Sequence, residues 1–69
     1  MTLILNGQTR EFDMLTSGCA VQQFVDELAL KGDRIAVELN GNIVSRKDWD
    51  EVFLKDEDRL EIVHFVGGG

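Results

Sequence analysis

Val21-Gln22-Gln23-Phe24-Val25-Asp26-Glu27-Leu28 is the stretch that decides the fold of this chain. Val21, Phe24, Val25 and Leu28 recur at i, i+3, i+4 and i+7, one face of a helix, while Gln22, Gln23, Asp26 and Glu27 fall on the other face. Ser17 is the candidate N-cap, Glu27 and Lys31 are spaced as a favourable i, i+4 pair, and Gly32 is placed to close the helix in a left-handed conformation. The remaining apolar segments are short or alternating, so a single main helix is available. One helix covers one face of a sheet, which makes the expected class α+β.

Outward from the helix, the strands declare themselves by alternation and by turn chemistry. Upstream, Leu3 and Leu5 alternate with Thr2, Ile4 and Asn6. Asn6-Gly7 follows, a pair that tolerates positive φ and favours a two-residue hairpin turn. Gln8 to Met14 then reads as the returning strand, with Phe12 its core residue. Downstream, Ile35, Val37 and Leu39 share one face of a strand over Arg34–Asn40, and Asn40-Gly41 turns it into the short Asn42-Ile43-Val44. Ser45-Arg46-Lys47-Asp48 has capping-box spacing and predicts a single helical turn carrying Trp49. Val52-Phe53-Leu54 is a short extended piece, Lys55-Asp56-Glu57-Asp58 a polar turn, and Leu60 to Val66 the last strand. The expected architecture is a four- or five-stranded mixed sheet with one main helix on one face, over residues 1–66. Gly67-Gly68-Gly69 follows as a flexible tail.

Sixty-nine residues make one small domain and exclude a two-domain enzyme, a dinucleotide-binding fold or a barrel. A chain of this size buries about 60% of its unfolded surface, so its core is thin. With 43% hydrophobic and 29% charged residues it still has a globular balance. A formal net charge of −6 repels phosphate backbones and anionic lipid, so neither nucleic acid nor a membrane surface is an expected partner. A basic patch on another protein suits it better. Cys19 is the sole cysteine, so no internal disulfide can form, as in a reducing compartment. No apolar run approaches membrane-spanning length and the N-terminus lacks a signal-peptide pattern, so a cytoplasmic location is expected.

Candidate chemistry is sparse. Cys19 and His64 alone cannot build a four-ligand zinc site, and no metal or catalytic residue is expected. Asp56-Glu57-Asp58 lacks calcium-loop spacing and reads as a solvated turn. His64 reads as an ordinary strand residue, Cys19 as a small structural one, and Trp49 as a packing anchor. The glycine tail differs, because three glycines after a strand add no packing and cost order. They do make a thin peptide that fits a narrow channel and reaches roughly 10 Å when extended. It would present the Gly69 carboxylate to a partner's active site. A carboxylate is a poor electrophile, so any chemistry there needs activation by another protein, most simply adenylation by ATP.

With that tail and that order of elements, the chain resembles the ubiquitin-like β-grasp sulfur carriers, and most of all the ThiS type of thiamine thiazole biosynthesis. The residues carrying the resemblance are Val37-Glu38-Leu39-Asn40-Gly41, Val44-Ser45-Arg46 with Trp49, Leu54, and Asp58-Arg59-Leu60-Glu61-Ile62-Val63 ending in Phe65-Val66-Gly67-Gly68-Gly69. The family often has Pro at the place of Ser45 and usually Gly at the place of Glu57, where a positive φ would strain a glutamate.

The resemblance implies a carrier that catalyses nothing and holds no permanent cofactor. A ThiF-like enzyme would use ATP and Mg²⁺ to adenylate Gly69. A sulfur donor such as a cysteine desulfurase system would supply the thiocarboxylate sulfur, and thiazole synthase would consume it. A carrier for molybdopterin synthesis or another sulfur pathway, and a ubiquitin-like protein modifier, are the alternatives. Strand register adds an expected partner-binding patch. With Leu3, Leu5, Leu60 and Ile62 inward, Ile4, Val63 and Phe65 turn to the opposite face, contiguous beside the tail if the first and last strands are neighbours.

Overall fold

The computed structural model describes residues 1–65. Val66 and the Gly67-Gly68-Gly69 tail, with the expected domain boundary after residue 66, lie outside the described residues. Five strands form one mixed sheet: β1 (Thr2–Leu5), β2 (Gln8–Glu11), β3 (Ile35–Leu39), β4 (Asn42–Val44) and β5 (Arg59–His64), in the order β2-β1-β5-β3-β4. β1 and β5 run parallel and the other neighbours antiparallel. One helix, α1 (Val21–Glu27), faces the sheet through buried Val21, Phe24 and Val25. No helix among the described residues is long and apolar enough to cross a membrane.

Both hairpins follow from their Asn-Gly pairs. Asn6 and Gly7 sit at φ 49° and 81°, Asn40 and Gly41 at 50° and 89°. Those values match the right-handed twist of the flanking strands. The returning strand is shorter than expected: β2 ends at Glu11 and all four of its side chains are exposed. Phe12 lies beyond it, buried, with its ring edge-on to Phe24 at 5.7 Å between centroids.

The helix ends differ from expectation on both sides. The N-cap is Ala20 and not Ser17, and the Ala20 N–H donates to Oε1 of Gln23 at 2.9 Å. The helix stops at Glu27, so Glu27 and Lys31 do not face each other as a helical pair. The left-handed residue after it is Ala29, at φ 55°, and not Gly32. Gly32 instead opens a 3-10 turn, Gly32–Arg34, where a Cβ would come within 2.9 Å of Trp49 Cζ3. Glycine is needed there for space.

A seven-residue helix cannot roof a five-stranded sheet alone. Irregular segments complete the roof with Leu15, Cys19, Trp49 and Leu54, all buried with the expected Leu3, Leu5, Phe12, Val21, Phe24, Val25, Ile35, Val37, Leu60 and Ile62. Leu28 and Leu39 are only partly buried at the core's margin. Trp49 is 1% exposed, and its indole N–H donates to the Val44 carbonyl at 3.0 Å. Its turn, Arg46–Asp48, is 3-10, and the Ser45 hydroxyl does not cap it. Residues 52–54 lie along the helix entry, where the Val21 N–H donates to Val52 O (2.9 Å) and Leu54 N–H to Cys19 O (2.7 Å).

Two local features carry testable consequences. Glu57 stands at φ 68°, in the left-handed region that costs a non-glycine residue about 1–2 kcal/mol. Glycine there loses roughly 0.5–1 kcal/mol of chain entropy on folding, so the balance favours it modestly. Glu57→Gly, and by the same argument Ala29→Gly, should raise Tm by a few degrees; an unchanged or lower Tm contradicts the strain.

The second feature is Glu11. Its carboxylate accepts from the Thr2 hydroxyl at 2.7 Å and pairs with the Met1 ammonium at 3.1 Å. These bonds, Thr2 foremost, hold its pKa below the ordinary 4.5. A depressed native pKa means stability fully present above about pH 4.5 and lost as pH falls through the lower native value. Tm should therefore drop on acidification below that point, and drop less in Glu11→Gln.

Candidate functional site

The site expected from the sequence is Gly69 with Gly67 and Gly68, outside the described residues, and the patch of Ile4, Val63 and Phe65; the described element that precedes the glycines is β5. β5 is the middle strand of five, and its register is set from within by Leu60 (0% exposed) and Ile62. It is also held at its start. Asp58 is buried, against its reading as part of a solvated turn. Its Oδ2 accepts from the Lys55 N–H at 2.9 Å and its Oδ1 from the Asn40 side-chain amide at 3.1 Å. Asn40 Oδ1 in turn accepts from the Arg59 N–H at 3.0 Å. On the other flank, Asn6 Oδ1 accepts from the Ile62 N–H at 2.8 Å. At its end, the Phe65 N–H donates to Arg34 O at 2.9 Å. The last described residue is thus tied to the sheet.

The outer sheet face, opposite the helix, carries part of the expected patch. Val63 and Phe65 are 50% and 58% exposed, on the face away from Leu60 and Ile62. Ile4 turns to that face too but is half-buried. It does not join them. In the parallel pairing Ile4 stands opposite Arg59, four residues before Val63 and so roughly 13 Å away along the strand. Alternation set the face of each residue, while the offset between parallel strands, which no turn fixes, set the distance.

Across the other flank, Val63 pairs with Ala36. One row along, on β4, stands Ile43, 74% exposed and opposite Glu38. The apolar residues of the outer face at the end of β5 are therefore Val63 and Phe65 with Ala36 beside them, and Ile43 stands in the neighbouring row with Glu38. Ile43 was legible in principle, because a β4 with Val44 inward has Ile43 outward. Beside this surface the face turns polar. Glu38 stands directly opposite Glu61, and both line a shallow concavity with Asn40, Gly41 and Arg59.

Cys19 has no place in this arrangement. It is buried within the core cluster, and burial pushes its thiol pKa up, away from the thiolate that a nucleophile or sulfur relay needs. His64 is exposed on the strand. What the described residues build is a strand end bonded to the sheet at Phe65, with Val63 and Phe65 exposed on the outer face.

Comparison with known proteins agrees with that geometry. The model of the ThiS family matches residues 3–69. The sulfur carrier protein ThiS of Bacillus subtilis is 37% identical over 67 residues, 97% of this chain and 98% of that protein. A thiazole synthase of Paramagnetospirillum magneticum is 38% identical over 69 residues, the whole of this chain but 20% of that protein, so this chain spans about a fifth of that relative's length. Among solved structures, the ThiS thiamine biosynthesis protein of Geobacter metallireducens superposes with a TM-score of 0.86 at 31% identity, with 100% of each chain covered. With its ubiquitin-like β-grasp sheet, single helix and end-to-end match, the chain belongs to the ThiS family, the small sulfur carriers of thiamine biosynthesis.

Proposed function

We propose that this chain carries sulfur as a thiocarboxylate on Gly69 and delivers it to a thiazole synthase, within the cytoplasm. The observation that carries this reading is the match over nearly its whole length to a sulfur carrier protein ThiS. A ThiF-like enzyme, using ATP and Mg²⁺, joins the Gly69 carboxylate to AMP and releases pyrophosphate. A sulfur nucleophile, fed by a donor such as a cysteine desulfurase system, then attacks the carboxyl carbon and AMP departs. The thiocarboxylate sulfur so formed is the nucleophile that thiazole synthase consumes. The match of this chain to a fifth of a protein named thiazole synthase supports the pairing with that enzyme.

The division of labour within the chain follows from where its groups stand. Gly67, Gly68 and Gly69 bring no side chain to the core, so they serve the carboxylate alone. The body supplies recognition through Ala36, Ile43, Val63 and Phe65. Burying a large apolar side chain in a partner gains roughly 1.5–3 kcal/mol.

Incubation of the pure chain with its activating enzyme, ATP, Mg²⁺ and sulfide should replace one oxygen by sulfur in the intact mass. A chain lacking Gly68-Gly69 should melt at the same temperature and gain no sulfur. Sulfur on the truncated chain removes Gly69 from the reaction, and ladders of higher-mass conjugates in cells would point to a protein modifier instead. Formation of thiazole, rather than molybdopterin, from the loaded carrier assigns the pathway.

Phe65→Ser should weaken binding to the activating enzyme by about tenfold or more. Because Phe65 is 58% exposed, the same change should leave Tm nearly unaltered. Unchanged affinity in a titration would take the outer face out of the interface.

A further inference from the structure

Among the described residues, β5 has an open edge at its C-terminal end. In an antiparallel ladder the N–H and C=O of one residue point to the same flank, and successive residues alternate. The Asn40 N–H donates to Arg59 O (2.8 Å) and the Phe65 N–H to Arg34 O (2.9 Å), so Arg59, Glu61, Val63 and Phe65 turn their backbone groups towards β3. Leu60, Ile62 and His64 turn theirs to the flank occupied by β1. β1 pairs as far as Leu5 opposite Leu60, the Asn6 N–H donates to Leu60 O (2.9 Å), and the Asn6 side chain takes the Ile62 N–H. Beyond that point the Ile62 carbonyl and both backbone groups of His64 meet no backbone partner among the described residues. A groove lined by Ile4, Gly7, Arg59, Leu60 and Glu61 opens beside the same turn.

Proteins blunt such edges with Pro, bulges or charged side chains, because an unpaired ladder invites another strand. Here the chain has no Pro, and Val63 and Phe65 beside the edge are apolar and exposed. Gly69 lies five residues beyond His64, at most roughly 17 Å of extended chain. A protein whose reacting centre holds Gly69 therefore has that centre within this reach of the edge.

We infer that an extended segment of the thiazole synthase adds to β5 as a further strand, pairing with the backbone of Ile62 and His64 as the tail enters that enzyme. The inference rests on the functional reading above and names how that partner grips the stem. Pairing through the backbone fixes the direction in which the tail leaves, while side chains of the added strand cover Val63 and Phe65.

Amide exchange of the labelled chain, alone and with purified thiazole synthase, tests it. The His64 amide should exchange about tenfold more slowly or less in the complex, with the Phe65 amide, already bonded to Arg34, as internal reference. His64→Pro removes an N–H that β3 does not use, so the ladder to β3 is kept and the edge is lost. It should weaken binding about tenfold, while His64→Ala stays within about twofold of the unaltered chain. A complex in which the His64 amide exchanges freely overturns the pairing and leaves the carrier reading standing. Concentration-dependent protection without the enzyme assigns the edge to a second copy and overturns the partner. Failure of the unaltered chain to bind thiazole synthase at all overturns the functional reading and the inference together. Amide exchange on the unaltered chain decides the question even where His64→Pro does not fold.

Discussion

The arrangement depends on β5 being held from both flanks by the turns of the two hairpins. Asn6 and Asn40 each occupy the first position of an Asn-Gly turn, and each extends its side-chain oxygen to a backbone N–H of β5, at Ile62 and Arg59. One residue type therefore does two things. It accepts the positive φ that closes its own hairpin, and it satisfies a donor on a strand far away in sequence. Buried Asp58 completes the clamp through Lys55 and Asn40. Replacing either asparagine by glycine would keep the turn and lose the link, which separates the local need from the tertiary one.

A chain of this size has little core to spare, and its roof is assembled accordingly. The helix contributes three buried side chains; Leu15, Cys19, Trp49 and Leu54 come from segments without regular structure. Such segments must find partners for their backbone groups, and they find them in one another: 52–54 against 18–21, and the indole N–H on Val44. Gly32 belongs to this economy, because the Trp49 ring occupies the space a side chain would need. Among buried side-chain polar atoms of the described residues, none lacks a hydrogen-bond partner.

The two sheet faces have separate tasks. The inner face holds the molecule together through Leu3, Leu5, Val37, Leu60 and Ile62, and the outer face at the end of β5 leaves Val63 and Phe65 exposed. Because strand side chains alternate, a change at Val63 or Phe65 alters the outer surface with little effect on the core, and a change at Leu60 or Ile62 does the reverse.

The sequence by itself determined whatever is local or periodic. Asn-Gly pairs set both hairpins, a period of two set which strand residues face inward, the helical period set Val21, Phe24 and Val25, and the glycine tail with its neighbouring motifs pointed to the family. Tertiary structure decided what depends on distant chain. Ala20 caps the helix because Gln23 reaches back and residues 52–54 fix the entry, and Ala29 takes the left-handed position because the helix stops at Glu27, while Gly32 lies against the Trp49 ring. Asp58 is buried because Asn40 and Lys55 converge on it. Ile4 stands opposite Arg59, away from Val63, because the offset of two parallel strands is fixed by packing and not by a turn. Among the described residues, the open edge at Ile62 and His64 has the same origin, since β1 ends before it beside β5.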